Sequence, residues 1–409
     1  MQPDPATMRV ARQAMRHVRD GARVIVGSMA AEPRHLMLAL EERAASLGSV
    51  DLWAGMLLSD YGFLATPSIR FTTWFPPGTV GRRRIPAGRI EHLPLSWAQV
   101  AEVLRERASS SIVMVQVAPA DDEGFHSLSL SAGHIGVVID NAEVILAEVN
   151  DDLPQTRGRR VHASRLTVAI PSRAAVPQFP TATYTEADLR IARSVAELLD
   201  SDITLQVGVG AVPDACLGEL ARQGFTDLRI HSGATNGVLE LARAGALAQG
   251  PEVIRVGEVL GSRQLYDFVH DNPLVELVDA RQTHYPDALL AIDRLYCVNS
   301  AISVDTFGQV NCEYVRGEHR GAVGGLADFA HAASWPGNRS VIALRSTTSG
   351  AAESRIVPRL EAATTSLSRD LTEFVVTEYG VADLRGATVR QRRKALAAVA
   401  HPRYRSSLE

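Results

Sequence analysis

LQVGVGAVPDACLGELARQG, residues 205–224, places an apolar run, a glycine turn and an amphipathic helix in direct succession. Gly208 and Gly210 permit a sharp turn, and Pro213 suits the first turn of the helix that follows. A strand that passes through such a turn into a helix is typical of parallel α/β folds, and the helix N-terminus offers N–H groups to an anionic ligand. The same glycines also suit a turn that βα geometry imposes without any ligand.

Apolar runs and amphipathic helical stretches alternate along the rest of the chain. Continuous apolar runs followed by helices predict mostly parallel sheets that are covered on both faces, and therefore an α/β fold. The predicted strands are 22–27, 111–118, 143–149, 203–210 and 340–344, and the predicted helices are 33–47, 97–108, 186–200 and 387–400.

A chain of 409 residues is too long for one ordinary core, which predicts more than one domain. Residues 170–188, IPSRAAVPQFPTATYTEAD, combine prolines and small polar residues with a helix start, for which Thr185 is the predicted N-cap. The segment is therefore interpreted as a linker. We predict two domains, 1–180 and 181–409.

Composition excludes several classes of protein. A net charge of −4 argues against a general nucleic-acid or anionic-membrane surface, and no apolar run has the length of a membrane helix. The charged N-terminus does not resemble a signal peptide, which predicts a cytoplasmic protein. The three cysteines are too few and too scattered for a disulfide framework or a zinc site, so we expect no metal.

Lys394 is the only lysine, so nearly all 42 basic residues are arginine. This usage suggests a GC-rich, bacterial genome. Because Lys394 lies in a charged helical segment, covalent lysine catalysis and pyridoxal phosphate chemistry are not expected. No glycine-rich loop is followed by a phosphate-binding lysine.

A second glycine-rich stretch, RGAVGGLADFAHAASWPG, covers residues 320–337 and precedes a predicted helix. Taken alone, Gly321, Gly324 and Gly325 also fit a flexible connection. Two glycine turns in one predicted domain favour a pocket for an extended, phosphate-bearing ligand.

Motifs spread over the whole chain resemble the acetyl-CoA hydrolase/4-hydroxybutyrate CoA-transferase family. The second half holds the two glycine turns and the first half contributes two further matches. The matching segments, in chain order, are QVAPADDEGFHSLSLS (116–131), AEVNDDLPQTRG (147–158), VGVGAVPDA, VNSAISVDTFGQVN (298–311), GAVGGLADF (321–329), SRIVP (354–358), VVTEYGVADLRG (375–386) and AHPRYR (400–405).

This resemblance implies two similar open α/β domains of the CoA-transferase type. Coenzyme A or acyl-CoA is then a substrate, a small carboxylate is the possible acceptor, and the protein is expected to be a homodimer. Backbone N–H groups of the turns would stabilise the oxyanion of a tetrahedral intermediate. The residues assigned to CoA binding are Gly208, Val209, Gly210, Ala211, Val212, Ile302 and Gly325, with Asn299, Gly321 and Gly324 as further candidates.

The family's nucleophile, a glutamate that forms an acyl anhydride and then a CoA thioester, has no counterpart here. The corresponding segment is LRIHSGATNGVLEL, residues 228–241. His231 and Ser232 match the family pattern, but Gly233 stands at the glutamate position. The segment is also one residue short, and residues 234–236 supply no carboxylate.

Other nucleophiles are weaker candidates. Cys216 suits a small core residue inside a helix, and Glu240 suits a helix surface. Ser232 and His231 are neighbours on a strand end, where side chains alternate, so they do not form a dyad easily. Glu378 belongs to a family motif away from the nucleophile segment and is interpreted as structural or supporting.

Three hypotheses follow. The first is a CoA-transferase that acts without the glutamyl intermediate. The second is an acyl-CoA hydrolase, in which the space left by the missing side chain admits water. The third is a CoA-thioester-binding protein or subunit without activity.

Overall fold

The computed structural model describes residues 4–63, 66–75, 90–361 and 363–408. The chain divides into two compact units. Unit 1 comprises Met1–Phe179 and Arg255–Thr283, and unit 2 comprises Pro180–Ile254 and His284–Glu409. The change of unit after Phe179 lies next to the predicted boundary, whereas segment 255–283 groups with unit 1. The assignment of 1–180 and 181–409 as domains stays a prediction.

The strands of the described residues follow the chain in this order: β1 (Ala22–Val26), β2 (Val50–Ala54), β3 (Ile69–Thr73), β4 (Ile90–His92), β5 (Ile112–Val117), β6 (Phe125–Ser127), β7 (Val144–Asn150), β8 (Arg157–Gly158), β9 (Arg160–His162), β10 (Val168–Ser172), β11 (Thr204–Val207), β12 (Arg229–Ala234), β13 (Ile254–Val259), β14 (Val275–Leu277), β15 (Leu295–Asn299), β16 (Ser303–Asp305), β17 (Val310–Asn311), β18 (Tyr314–Val315), β19 (Glu318–His319), β20 (Arg339–Ala343), β21 (Ile356–Val357), β22 (Phe374–Thr377) and β23 (Gly380–Asp383).

The α-helices of the described residues are α1 (Pro5–Ala14), α2 (Arg34–Ala44), α3 (Trp97–Arg107), α4 (Ile135–Val138), α5 (Glu186–Ala196), α6 (Ala211–Gln223), α7 (Asn236–Arg243), α8 (Arg263–Val269), α9 (Ala280–Thr283), α10 (Pro286–Leu290), α11 (Leu326–Ala333) and α12 (Val389–Val399). None of them has the length and apolar character that a helix needs to cross a bilayer.

Unit 1 is built around a sheet in the order β10-β7-β5-β1-β2-β3-β4. Its neighbouring strands pair in parallel. All six residues of β5 are buried, as expected of a central strand that is covered on both faces. The apolar run predicted as a buried strand at 111–118 is therefore confirmed as β5.

Unit 2 holds strands in the order β23-β22-β20-β15-β11-β12. All of these pairs are parallel except β22 with β23. The predicted α/β class and parallel sheets are thus confirmed. Because the strands from β22 to β12 run in one direction, the loops that follow Val207, Ala234, Asn299 and Ala343 leave the sheet at the same edge.

The predicted linker 170–188 is shorter in the structure. Its first residues complete β10, residues 173–185 have no regular secondary structure, and α5 begins at Glu186. Thr185 caps α5, because its side chain accepts from Asp188 N while its backbone N donates to the Asp188 carboxylate. The predicted N-cap is confirmed.

Candidate functional site

The first glycine turn connects β11 to α6 in unit 2. Gly208 N donates to Val298 O at 2.9 Å, which fixes the start of the turn against β15. Gly210 has a φ of +144°, a conformation that residues with a Cβ rarely adopt. Val209, between them, is 46% exposed. The tip of the turn is therefore accessible to solvent, and its last position favours glycine.

The first turn of α6 follows directly. Ala211 and Val212 open the helix, and the amides of a first turn have no helical acceptor. Asp214 N is the first to donate back to the turn, at 3.0 Å from Gly210 O. Together with the helix dipole, these amides suit an anionic group or a developing oxyanion.

The neighbouring segment after β15 is held by side chains. Gln206 and Asn299 exchange two amide hydrogen bonds, with Nε2–Oδ1 at 3.2 Å and Nδ2–Oε1 at 2.9 Å. This pair ties β11 to β15 and occupies the amide of Asn299. Ile302 N donates to Asn311 O at 2.8 Å, and the Ile302 side chain stays half-buried.

The second glycine turn begins at Gly321, whose N donates to Glu313 O at 2.9 Å. Gly324 and Gly325 complete it, and α11 starts at Leu326. Residues 321–325 are all half-buried, so this turn also has an accessible side.

Gly325 lies directly on two aromatic side chains. A Cβ at this position would stand 2.6 Å from His284 Nε2 and 2.6 Å from Phe329 Cε2. The centroids of the His284 and Phe329 rings are 4.8 Å apart, and the His231 ring centroid lies 6.5 Å from that of Phe329, at right angles. Close packing beneath the turn therefore requires glycine there.

His284 is a buried residue that the sequence analysis missed. The pKa of His284 is held well below its usual range, because the ring is buried and because His231 is close. A neutral ring thus supports Gly325. The segment THYP around His284 has no spacing relation to the glycine turn, so only the fold brings them together.

The end of β12 lacks a carboxylate. His231 is buried, whereas Ser232 and Gly233 are half-buried. Ser232 has a φ of +82°, unusual for a residue with a side chain. Gly233 lies within β12, and residues 231–236 include no acid.

A buried acid instead connects α6 to the end of β12. Thr235 Oγ1 donates to Asp214 Oδ1, and both side chains are buried. Burial raises the pKa of Asp214, while the hydrogen bonds from Thr235 and from Gly237 N lower it. Asp214 lies in the first turn of α6, directly after the glycine turn. Its hydrogen bond with Thr235 therefore ties the first glycine turn to the end of β12.

The remaining nucleophile candidates lie on helices. Cys216 is buried in α6, and burial raises the pKa of its thiol far above the usual range, so the reactive thiolate is disfavoured. Glu240 is exposed on α7, and its carboxylate lies against α6, where a Cβ on Gly218 would be 2.7 Å from Oε2.

Glu378 holds the loop that follows β20. Its carboxylate accepts from Ser346 N at 2.8 Å and from Ser346 Oγ at 2.6 Å. The preceding residue, Arg345, makes two bonds of 2.7 Å and 2.6 Å to the buried Asp188. Both acids therefore fix the loop, which agrees with a supporting role for Glu378.

Family models match both halves of the chain. Residues 6–171 match the acetyl-CoA hydrolase/transferase N-terminal domain, and residues 261–409 match the C-terminal domain of the same name. The chain is 32% identical to the 4-hydroxybutyrate coenzyme A transferase of Clostridium kluyveri over 341 residues, 81% of this chain and 79% of that protein.

Two further proteins show the same likeness. A succinyl-CoA:acetate/propanoyl-CoA:succinate CoA transferase of Fasciola hepatica is 32% identical over 408 residues, 96% of this chain and 84% of that protein. The crystal structure of a 4-hydroxybutyrate CoA-transferase from Porphyromonas gingivalis superimposes with a TM-score of 0.79 at 29% identity, and the match covers 97% of this chain and 95% of that one.

Proposed function

Because the chain belongs to the acetyl-CoA hydrolase/transferase family, we propose that it binds acyl-CoA at the glycine turns of unit 2 and transfers CoA to a small carboxylate without a glutamyl intermediate. The observation that carries the proposal is a contrast within unit 2. Two glycine turns offer backbone N–H groups, yet the end of β12 holds Gly233 and no acid within residues 231–236.

The proposed contacts with CoA are those assigned from the sequence. Gly208 to Val212 provide the backbone of the first turn, Ile302 a half-buried apolar contact, and Gly325 the second turn. Gly321 and Gly324 shape the second turn. The side-chain amide of Asn299 is already hydrogen-bonded to the amide of Gln206. The proposed contribution of Asn299 to the site is therefore made through this pair.

Direct transfer balances without an enzyme-bound acyl group. A carboxylate oxygen of the acceptor attacks the thioester carbonyl, and the C–S bond breaks to release CoA thiolate and a mixed anhydride. The thiolate then attacks the acceptor carbonyl of the anhydride, and the donor acid leaves as a carboxylate. Charge is conserved and no proton moves. Turn amides stabilise the oxyanion in each step.

This route requires both substrates to be bound together. Initial rates with butyryl-CoA and acetate should therefore give intersecting double-reciprocal lines. Parallel lines would indicate a covalent intermediate and would contradict the proposal. Gly233 leaves the space of a side chain open at the end of β12, which also favours a hydrolase, and free thiol released without acetate would identify one. CoA binding with neither reaction would identify a binding protein.

The single lysine supports chemistry without pyridoxal phosphate, and the proposed reaction needs no metal. The proposed partners are an acyl-CoA and a small carboxylate. A homodimer and a cytoplasmic location stay predictions.

A further inference from the structure

Arg355, in the segment SRIVP, is fixed by its backbone on both sides. Arg355 N donates to Ser346 O at 2.8 Å, and Arg355 O accepts from Val304 N at 2.8 Å. The next residue, Ile356, is fully buried beside Val304 in the core of unit 2. Since side chains alternate along a strand, the Arg355 side chain points away from that core.

Among the residues that the structure describes, the guanidinium of Arg355 has no hydrogen bond or ion pair, and its neighbours act on it only through their charge. Its side chain is nevertheless half-buried. The two nearby acids are already used, Asp188 by Arg345 and Glu378 by Ser346. A partly dehydrated cation without a bonded partner costs free energy unless an anion binds to it.

Two arginines, Arg345 and Arg355, share this part of unit 2 with two carboxylates, Asp188 and Glu378, and only Arg345 is bonded to one of them. Burial and the neighbouring Arg345 lower the pKa of Arg355, and these effects exceed the opposing influence of Glu378 and Asp188. In the parallel pairing of β16 with β21, Val304 lies opposite Ile356, so the residue beside Arg355 is Ser303. Ser303 is uncharged, and its hydroxyl accepts from Asn311 Nδ2 at 3.1 Å.

Backbone hydrogen bonds also connect Arg355 to segments that carry the proposed CoA contacts. Val304, whose N donates to the Arg355 carbonyl, is two residues past Ile302. Ser346, whose carbonyl accepts from Arg355 N, follows β20 at the edge where the first glycine turn leaves the sheet. The cation thus stands in the same loop cluster of unit 2 as the proposed CoA site.

We propose that Arg355 binds the carboxylate of the small acid that exchanges with the acyl-CoA. A planar guanidinium binds a carboxylate through two parallel N–H···O bonds. A monoanion fits better than a phosphate dianion, because the carboxylates of Glu378 and Asp188 lie in the same field. This inference rests on the proposed function and names the substrate class that its acceptor site selects.

Calorimetry with sodium butyrate tests it, with butyramide as the uncharged analogue. Wild type should bind butyrate and not butyramide. Arg355→Gln should weaken butyrate binding at least about tenfold, a change of about 1.4 kcal/mol. Ser303→Glu should do the same while keeping the arginine, because the new carboxylate pairs with it. Arg359→Gln, at an exposed position directly after this segment, should leave the affinity unchanged.

A thermal shift with CoA is recorded for every variant. Equal butyrate affinity in wild type and Arg355→Gln contradicts the inference, and so does absence of butyrate binding by wild type. Inorganic phosphate that displaces butyrate with equal affinity also contradicts it and would assign Arg355 to a CoA phosphate. If one of these results is found and CoA still raises the melting temperature, the inference about Arg355 fails and the proposed function stands. If CoA does not raise the melting temperature of wild type, both the inference and the proposed function fail.

Discussion

The glycine turns and the end of β12 lie in the same unit, yet different constraints act on them. The rings of His284 and Phe329 require glycine at position 325, and the backbone conformation favours glycine at position 210, so packing and geometry account for both residues. Gly233, which the resemblance assigns to the position of the family's glutamate, offers no side chain for chemistry. The glycine turns are therefore fixed by the fold itself, whereas the end of β12 is set apart by the acid that residues 231–236 lack.

Gly325→Ala should have the strongest effect, because it disrupts the retained glycine turn. It places a Cβ 2.6 Å from His284 Nε2 and from Phe329 Cε2. We expect a loss of about 3 kcal/mol in the free energy of unfolding and loss of the CoA-induced thermal shift, since the turn must move. Wild type should gain about 2.7 kcal/mol at CoA concentrations a hundredfold above Kd.

Gly324→Ala is the matched control for that variant. Gly324 has a φ of +55°, but a Cβ added there would have no heavy atom within 4 Å, so the substitution strains the backbone without a clash. It should cost about 1 kcal/mol in the free energy of unfolding, clearly less than Gly325→Ala. Equal losses in the two variants would show that packing on His284 does not hold the turn.

Acid should weaken the second turn through His284. Its pKa is lower in the folded protein than in the unfolded chain, so below pH 6.5 the unfolded chain binds more protons. The stability that the neutral His284 ring contributes is fully present above that pH. Below it, the free energy of unfolding falls by up to about 1.4 kcal/mol per pH unit. The melting temperature of His284→Asn should therefore fall less than that of wild type between about pH 7.5 and pH 5.5.

His331→Asn, at an exposed position of α11, serves as the histidine control and should retain the wild-type pH dependence. If His284→Asn and wild type lose the same stability in acid, the neutral ring is not what supports Gly325.

The weakest effect concerns the link between the first glycine turn and the end of β12. Thr235→Val removes the hydroxyl that donates to Asp214 and keeps the shape of the side chain. We expect a loss of about 1 kcal/mol in the free energy of unfolding, measured by urea denaturation, with CoA binding retained. A complete loss of CoA binding would mean that the end of β12 positions the first turn far more strongly than proposed.

The sequence predicted the elements that follow from local rules. The helix start at Thr185, the buried run of β5 and the turn from β11 into α6 depend on neighbouring residues, and all three are found. Contacts between distant segments left no such signal. His284 contacts Gly325 only because the fold brings the two segments together. The hydrogen bonds of Asp188 with Arg345 and of Glu378 with Ser346 also join distant segments, so the sequence alone did not indicate them.

The sequence also did not indicate that 255–283 groups with unit 1, because long-range packing decides which unit a segment joins. The assignment of CoA contacts came from resemblance, and it stays a prediction for each residue. The lack of an acid in residues 231–236 is visible in the sequence itself, whereas the assignment of Gly233 to the position of the family's glutamate rests on the resemblance and stays a prediction.

Catalysis without an enzyme-bound acyl group is tested most directly by trapping. The protein is incubated with butyryl-CoA, treated with borohydride or hydroxylamine, and weighed by intact-mass spectrometry, with a family member that carries the glutamate as positive control. We predict an unchanged mass for this protein together with acetate-dependent exchange of CoA. A covalent adduct on Cys216, Ser232 or Glu240 would contradict direct transfer and would identify the nucleophile.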